Sequence, residues 1–334
     1  MNGRLGLAVV LGALASGAAP LRIVTTTSDL AAIASAVAGG GAETHSLCSG
    51  REDPHVLQAR PGMILRARDA DLWIRVGLEL EIGWEPAVLD GARNARIRPG
   101  ARGHLDLSEV ALILDVPEGP VTRAMGDVHP MGNPHYWLDP LNGRRMAAAI
   151  AERIAELRPD LADAVRANAA AFQRALDERM FGPRMVEAVG GDALWSRALD
   201  GTLDAFLDEP SQRDKLGGWV AAMRPWRGAA IVTYHRSWIY FARRFGISVI
   251  GELEPKPGVP PTAAHLAALE KRARAAGVRI VLQEPFYSPK AARRLAERIG
   301  GRVVTVAGSV GGEREATDYL ALLDLIVRRI TEGA

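Results

Sequence analysis

This sequence predicts an α/β fold in two lobes with largely parallel sheets, on three observations. The chain is 334 residues long, beyond the size at which a single core keeps growing, so two domains are expected. In both halves, short β-branched runs alternate with stretches of helical periodicity, the rhythm of βα units. Between the halves, Leu161, Val165, Ala169, Phe172 and Leu176 recur at helical spacing and read as a rigid connector helix.

The elements follow in order. Residues 21–26 (LRIVTT) are β-branched and apolar, which suits a buried strand. Ser28 and Asp29 offer N-caps for a helix through Leu30, Ile33 and Val37, which the glycines 39–41 end. A helix over about 61–68 precedes a second buried strand at 70–76 (ADLWIRV). Residues 144–157 form a clear helix, and Pro159 takes the favoured first-turn position of the next. The second half repeats the pattern, with strands at 229–233, 247–250, 279–283 and 302–306 and helices at 238–245, 263–276, 289–299 and 318–330. Residues 185–225, rich in Gly, Trp and acidic side chains, fit neither rhythm and read as an inserted lid or a set of short helices. The expected boundaries are an N-terminal lobe over 20–158, a linker helix over 159–182, and a C-terminal lobe over 183–334 that carries the insertion.

Composition narrows the function. Forty-one Lys and Arg against 39 Asp and Glu give a net charge of +2. The charges are interspersed and form no basic stripe, so no nucleic-acid partner is expected. Cys48 is the one cysteine, which excludes an internal disulfide and a cysteine-rich zinc ribbon. Residues 1–19 read as an export signal: Arg4 for the n-region, an apolar run over 5–14, and small residues at 15–19. No later segment offers roughly 20 uninterrupted apolar residues for a membrane span. The expected product is an exported, periplasmic protein.

Three of the seven histidines sit where chemistry is expected. His55 follows Asp53-Pro54, His135 follows Asn133-Pro134, and His235 directly follows the 229–233 strand. In open α/β sheets, ligands bind beyond the carboxyl ends of strands, so such positions converge on one crevice. Neutral imidazole is a favoured ligand for zinc and its neighbours in the series, and the prolines restrict the backbone before capture. Taken singly, each also reads as an ordinary loop histidine, and His45, His104 and His265 are read so. His129 reads either as an accessory ligand or as a solvated loop residue.

The motifs resolve this choice. Thr25-Thr26-Thr27-Ser28-Asp29-Leu30, Asp53-Pro54-His55, Ala70-Asp71-Leu72 with Gly77-Leu78-Glu79-Leu80-Glu81, Asn133-Pro134-His135-Tyr136-Trp137-Leu138-Asp139-Pro140, Tyr234-His235-Arg236-Ser237-Trp238, Glu254-Pro255-Lys256-Pro257-Gly258 and Gln283-Glu284-Pro285-Phe286 follow one another along nearly the whole mature chain. Together they resemble the periplasmic solute-binding proteins of zinc and manganese ABC transporters, the ZnuA/TroA-like cluster A-I. That resemblance implies two α/β lobes joined by one long helix, with metal in the cleft between them. It implies His55, His135 and His235 as metal ligands, a histidine at the third position being the zinc-type choice. It also implies delivery to a membrane ABC permease by a monomer with no catalytic activity.

The chain departs from the pattern in two places. The stretch 121–131 holds only His129 in place of a long His-rich loop, and the late loop where relatives carry an aspartate ligand reads Ala307-Gly308-Ser309-Val310-Gly311. Glu284 is the candidate replacement ligand, with water or Glu52 as alternatives. Asp139 is expected as a helix N-cap, Trp137 as part of the cleft wall, and Asp127 as an acceptor for an imidazole N–H. Zn2+ is expected over Mn2+, since manganese prefers oxygen donors. The competing class is a zinc hydrolase with three histidines, an open fourth position and Glu284 as base, although no HExxH helix or nucleophile elbow supports it.

Overall fold

The computed structural model of the chain describes residues 19–119, 129–255 and 259–332. Asp127 and all but the last residue of the export signal lie outside these. Strands β1 (Leu21–Thr25), β2 (Ala42–Ser46), β3 (Leu72–Arg75) and β4 (His104–Asp106) form one parallel sheet in the order β2-β1-β3-β4. Strands β5 (Ala230–Thr233), β6 (Ser248–Glu252), β7 (Ile280–Gln283) and β8 (Arg302–Thr305) form a second in the order β6-β5-β7-β8. The two α/β lobes thus share one topology. In each, the chain leaves the first strand, pairs the second on one side, and returns to pair the third on the other. The switch point falls between β1 and β3 in one lobe and between β5 and β7 in the other, where open α/β sheets bind ligands.

Helices α1 (Ser28–Ala38), α2 (Pro61–Asp69) and α3 (Glu85–Ala92) belong to the N-terminal lobe. Then come α4 (Pro140–Leu157) and α5 (Ala162–Phe181), packed against each other and against α1. The expected helix start at Pro159 is a short 3-10 turn, Pro159–Leu161, and the long helix begins after it. The irregular stretch resolves into short helices: α6 (Pro183–Val189), α7 (Gly191–Asp200), α8 (Leu203–Asp208), α9 (Pro210–Arg213) and α10 (Gly218–Met223). Helices α11 (Ile239–Arg244), α12 (Ala263–Ala275), α13 (Pro289–Ile299) and α14 (Tyr319–Thr331) complete the C-terminal lobe.

Alternation along the strands sorts the core. Val24 and Trp73 turn to an outer cluster with α2 and α3, while Ile23, Leu72 and Ile74 turn inward. In the second sheet Val232 and Val281 face α12 and α13, while Ile231, Ile280 and Leu282 face inward. The inward faces join α1, α4, α5, α11 and α14 in one continuous apolar cluster that runs through both lobes. Their mutual packing is close: a Cβ at Gly143 of α4 would lie 2.4 Å from the Tyr319 hydroxyl of α14. None of the described helices is long and apolar enough to cross a membrane.

One expectation needs correcting. Thr27 occupies the N-cap of α1, and Ser28 and Asp29 lie in its first turn. Their side chains are turned to the other lobe, where Ser28 Oγ donates to the Val310 carbonyl (2.7 Å) and Asp29 Oδ1 accepts from the Val310 N–H (2.9 Å). Strands β2 (AETHS) and β4 (HLD), half-buried at the sheet edges, have no individual signal in the sequence, because neither carries an apolar, β-branched run.

Candidate metal centre

The site is built from the carboxyl ends of strands in both sheets. His55 lies in the loop after β2, and His135 in the long connection between β4 and α4. His235 lies two residues beyond β5, and Glu284 directly follows β7 at the switch point, where the Tyr234 N–H donates to the Leu282 carbonyl (2.8 Å). The rings of His55, His135 and His235 stand 5.1–5.4 Å apart. One ligand atom from each falls within 4.8 Å of the others. Among the described residues this is the one such convergence of His, Cys, Asp or Glu.

Each imidazole is oriented through Nδ1. Asp53 Oδ1 accepts from both the His55 N–H (3.0 Å) and His55 Nδ1 (2.8 Å). Asn133 Oδ1 does the same for His135, at 3.0 and 2.9 Å. The two motifs are one device, an Asx side chain two residues before the histidine with proline between. His235 Nδ1 instead pairs with Glu254 Oε2 at 3.2 Å, from the loop after β6. With Nδ1 donating outward in each ring, Nε2 carries the lone pair for a cation, which is how outer acceptors fix the tautomer of a metal-binding histidine.

Burial and charge set the titration of these groups. Burial, together with the neighbouring rings, holds His135 well below the usual histidine range, so its imidazole is neutral. Burial would also lower His235, but the hydrogen bond to Glu254 and the charges of Glu284, Glu254 and Asp53 outweigh it and raise its pKa. Burial works to raise the Asp53 carboxyl, yet His55 holds it below its ordinary value. Glu284 is 3% exposed, and burial pushes it up to about 7, against the opposing Ser237 hydrogen bond and His235 charge.

Glu284 lines the same cavity as the three histidines. Its Oε1 accepts from Ser237 Oγ (2.7 Å), while its Oε2 is buried with no hydrogen-bond partner among the described residues. A buried carboxylate oxygen left this way costs free energy unless a cation satisfies it. Glu52 also lines the cavity, but both its oxygens are engaged, one by Arg60 and the other by the Ser49 N–H and hydroxyl. Trp137 is the expected wall: it is buried, its ring lies 5.2 Å from that of His135, and its indole N–H donates to the Gly308 carbonyl (2.9 Å). Asp139 caps α4, accepting from the Leu141 N–H, and also accepts from Nε and Nη2 of Arg244, each at 2.7 Å. His129 is buried, not solvated, with its ring 5.5 Å from that of His55. His45, His104 and His265 lie elsewhere, bonded to Glu43, the Ile97 carbonyl and the Glu252 carbonyl. Sequence reasoning does not find Glu254 or the orienting roles of Asp53 and Asn133. The shared Asx-Pro-His spacing is an available signal for the latter two, whereas Glu254 lies 19 residues from its partner.

Two α/β lobes meeting at a cavity lined by three oriented imidazoles form an arrangement suited to a solute-binding protein. The chain belongs to the family described as zinc-uptake complex component A, periplasmic (ZnuA), whose model matches residues 23–180 and 210–333. The unmatched stretch contains α6, α7 and α8. A high-affinity zinc uptake system protein ZnuA of Paracoccus denitrificans (strain Pd 1222) is 26% identical over 318 residues, 85% of this chain and 82% of its own. The iron-binding protein YfeA of Yersinia pestis is 23% identical over 319 residues, 93% of this chain and 86% of its own. A crystal structure of ZnuA superposes with a TM-score of 0.67 at 21% identity, covering 94% of this chain and 98% of that one. This likeness supports the two-lobed fold.

Proposed function

We propose that the chain captures Zn2+ in the periplasm, between its lobes, and delivers it to a membrane ABC permease as a monomer without catalytic activity. The observation that carries this reading is the convergence of three ligand nitrogens from both lobes within 4.8 Å, each ring oriented through its far nitrogen. In a tetrahedral zinc site the nitrogens stand about 3.3 Å apart, given Zn–N of about 2.0–2.1 Å. Binding would therefore draw the rings, and with them the lobes, slightly together. A cation held by both lobes favours their apposed arrangement by its differential affinity.

Three imidazoles favour zinc over manganese, which prefers an oxygen-rich set. Glu284 Oε2 is the fourth donor in this reading, since it is buried in the cavity wall without another partner among the described residues. Export through residues 1–19 would place the site in the compartment where such capture operates. The test is elemental analysis of the signal-free protein with Zn2+ and Mn2+ in competition. Zinc at one equivalent, undisplaced by equimolar manganese, is the expected result. Retention of manganese would overturn the metal assignment, and unchanged zinc calorimetry in His135→Ala would overturn the site.

A further inference from the structure

The Asx residues of the two Asx-Pro-His motifs differ: Asp53 before His55, Asn133 before His135. Both accept from the following imidazole in the same geometry, at 2.8 and 2.9 Å, so the geometry of that role does not explain an amide at one and a carboxylate at the other. The surroundings of Asn133 do. Its Nδ2 donates to the Arg236 carbonyl at 2.9 Å, in the opposite lobe and one residue beyond His235. A carboxylate could not make this bond, because two oxygens would face each other. The backbone of Asn133 is also held: its N–H donates to the Leu114 carbonyl (2.9 Å), and its carbonyl accepts from the Tyr240 hydroxyl of α11 (2.6 Å). The Tyr240 hydroxyl in turn accepts from the Leu114 N–H (3.0 Å), and Arg236 pairs with Asp115. Asn133 is 6% exposed, so these bonds are shielded from water.

From this we infer that Asn133 is a positioning residue that couples the two lobes at the cation site. One amide orients His135 through Oδ1 and ties the N-terminal lobe to the backbone beside His235 through Nδ2. Ligand orientation and lobe apposition are thereby set together, and the rate of metal release depends on both. The inference rests on the three-histidine metal reading above.

The experiment separates the two functions of the amide. Asn133→Asp keeps the acceptor for His135 and loses the donor to Arg236, while Asn133→Ala loses both. The paired swap Asp53→Asn with Asn133→Asp loses the donor at unchanged net charge. Co2+ uptake reports ligand geometry through its visible bands, and a chelator chase reports the zinc release rate. Asn133→Asp and the swap are expected to keep the wild-type cobalt bands and release zinc roughly 10-fold faster. Asn133→Ala is expected to shift the bands and lose up to about 100-fold in affinity, the upper range for an outer partner of a ligand. Release from the swap within twofold of wild type, or identical behaviour of Asn133→Ala and Asn133→Asp, overturns the inference. A measurement that needs no variant is exchange of the Asn133 side-chain amide in zinc-loaded wild type. Slow exchange is expected, and the rate of an exposed amide would overturn the coupling. Wild-type protein that takes up neither cobalt nor zinc would instead remove the metal reading itself.

Discussion

The two lobes run the same strand order, yet they furnish the site in different ways. Their first strands end alike: Thr25 Oγ1 donates to the Thr27 carbonyl and Thr233 Oγ1 to the His235 carbonyl, both at 2.8 Å. The Leu47 and Leu253 N–H groups bond the Thr25 and Thr233 carbonyls, and Cys48 and Glu254 occupy the following positions on Thr26 and Tyr234. Thr27 and Cys48 thus stand where the second lobe has the proposed ligand His235 and its partner Glu254. The C-terminal lobe places its groups at strand exits and orients its imidazole with a carboxylate from a neighbouring loop. The N-terminal lobe uses its strand exit to receive the Val310 loop and carries its imidazoles on later connections, each oriented by its own local Asx-Pro-His turn. One lobe relies on tertiary placement, the other on local chemistry, and their variants should respond differently.

The largest effect is expected from the ligands themselves. His235→Ala or His135→Ala should weaken zinc binding by more than about 100-fold, beyond the loss typical of an outer partner; calorimetry of either variant within tenfold of wild type would break the two-lobe site. Glu284→Gln comes next, with a loss of about 10- to 100-fold. It carries a second signature. His235 is raised above its ordinary value and Glu284 stands at about 7, so zinc binding near pH 7 should displace protons from both. Zinc affinity therefore falls as the pH drops through this range. Glu284→Gln should remove its share of the proton release, as read by calorimetry in buffers of different ionisation enthalpy.

Without metal the dependence reverses. The stabilising contribution of His235, with its raised folded-state pKa, is full below about 6.5 and is lost as pH rises through the folded value. Glu284 and Asp29, carboxyls that burial raises to about 7, likewise disfavour the fold as they ionise between about pH 4 and 7. Buried His135, held low, works the other way, but His235 and the two carboxyls together outweigh it, so metal-free protein should melt higher at pH 6 than at pH 8, with Glu284→Gln reducing the difference. A melting point that rises from pH 6 to pH 8 would contradict this sign.

The smaller effects test the contrast between the lobes most directly. Glu254→Gln should cost roughly tenfold in zinc affinity, because the amide removes the charge that pairs with His235 Nδ1 and can turn its NH2 toward the ring. Asp53→Asn only turns one Asx-Pro-His motif into the other, which already works in this protein, and should cost threefold or less. If Asp53→Asn proves the more damaging of the two, local turns do not provide the proposed orientation.

Much of this molecule is legible along the chain alone. Buried parallel strands such as LRIVT and IVLQ announce themselves by composition, and α13 runs over Pro289–Ile299, the bounds its periodicity and flanking Pro and Gly predict. His55, His135 and His235 are marked by their loops, and Asp139 by its capping position. These signals are local, carried by residues within a turn of one another. Strands β2 (AETHS) and β4 (HLD) are not legible individually, because neither carries the apolar, β-branched run that marks the edge strands β6 and β8.

By itself, then, the sequence determined the two βα lobes, the three imidazoles and the device that orients two of them, since periodicity and i−2 hydrogen bonding depend only on neighbours along the chain. Only the tertiary structure decided which groups meet across 19, 103 or 281 residues: Glu254 with His235, Asn133 with the Arg236 backbone, Asp29 with Val310. It likewise decided that Glu284 would be buried with one oxygen lacking a partner among the described residues. Those contacts depend on how two separately encoded lobes meet, and side-chain burial at their junction has no period that a sequence can display.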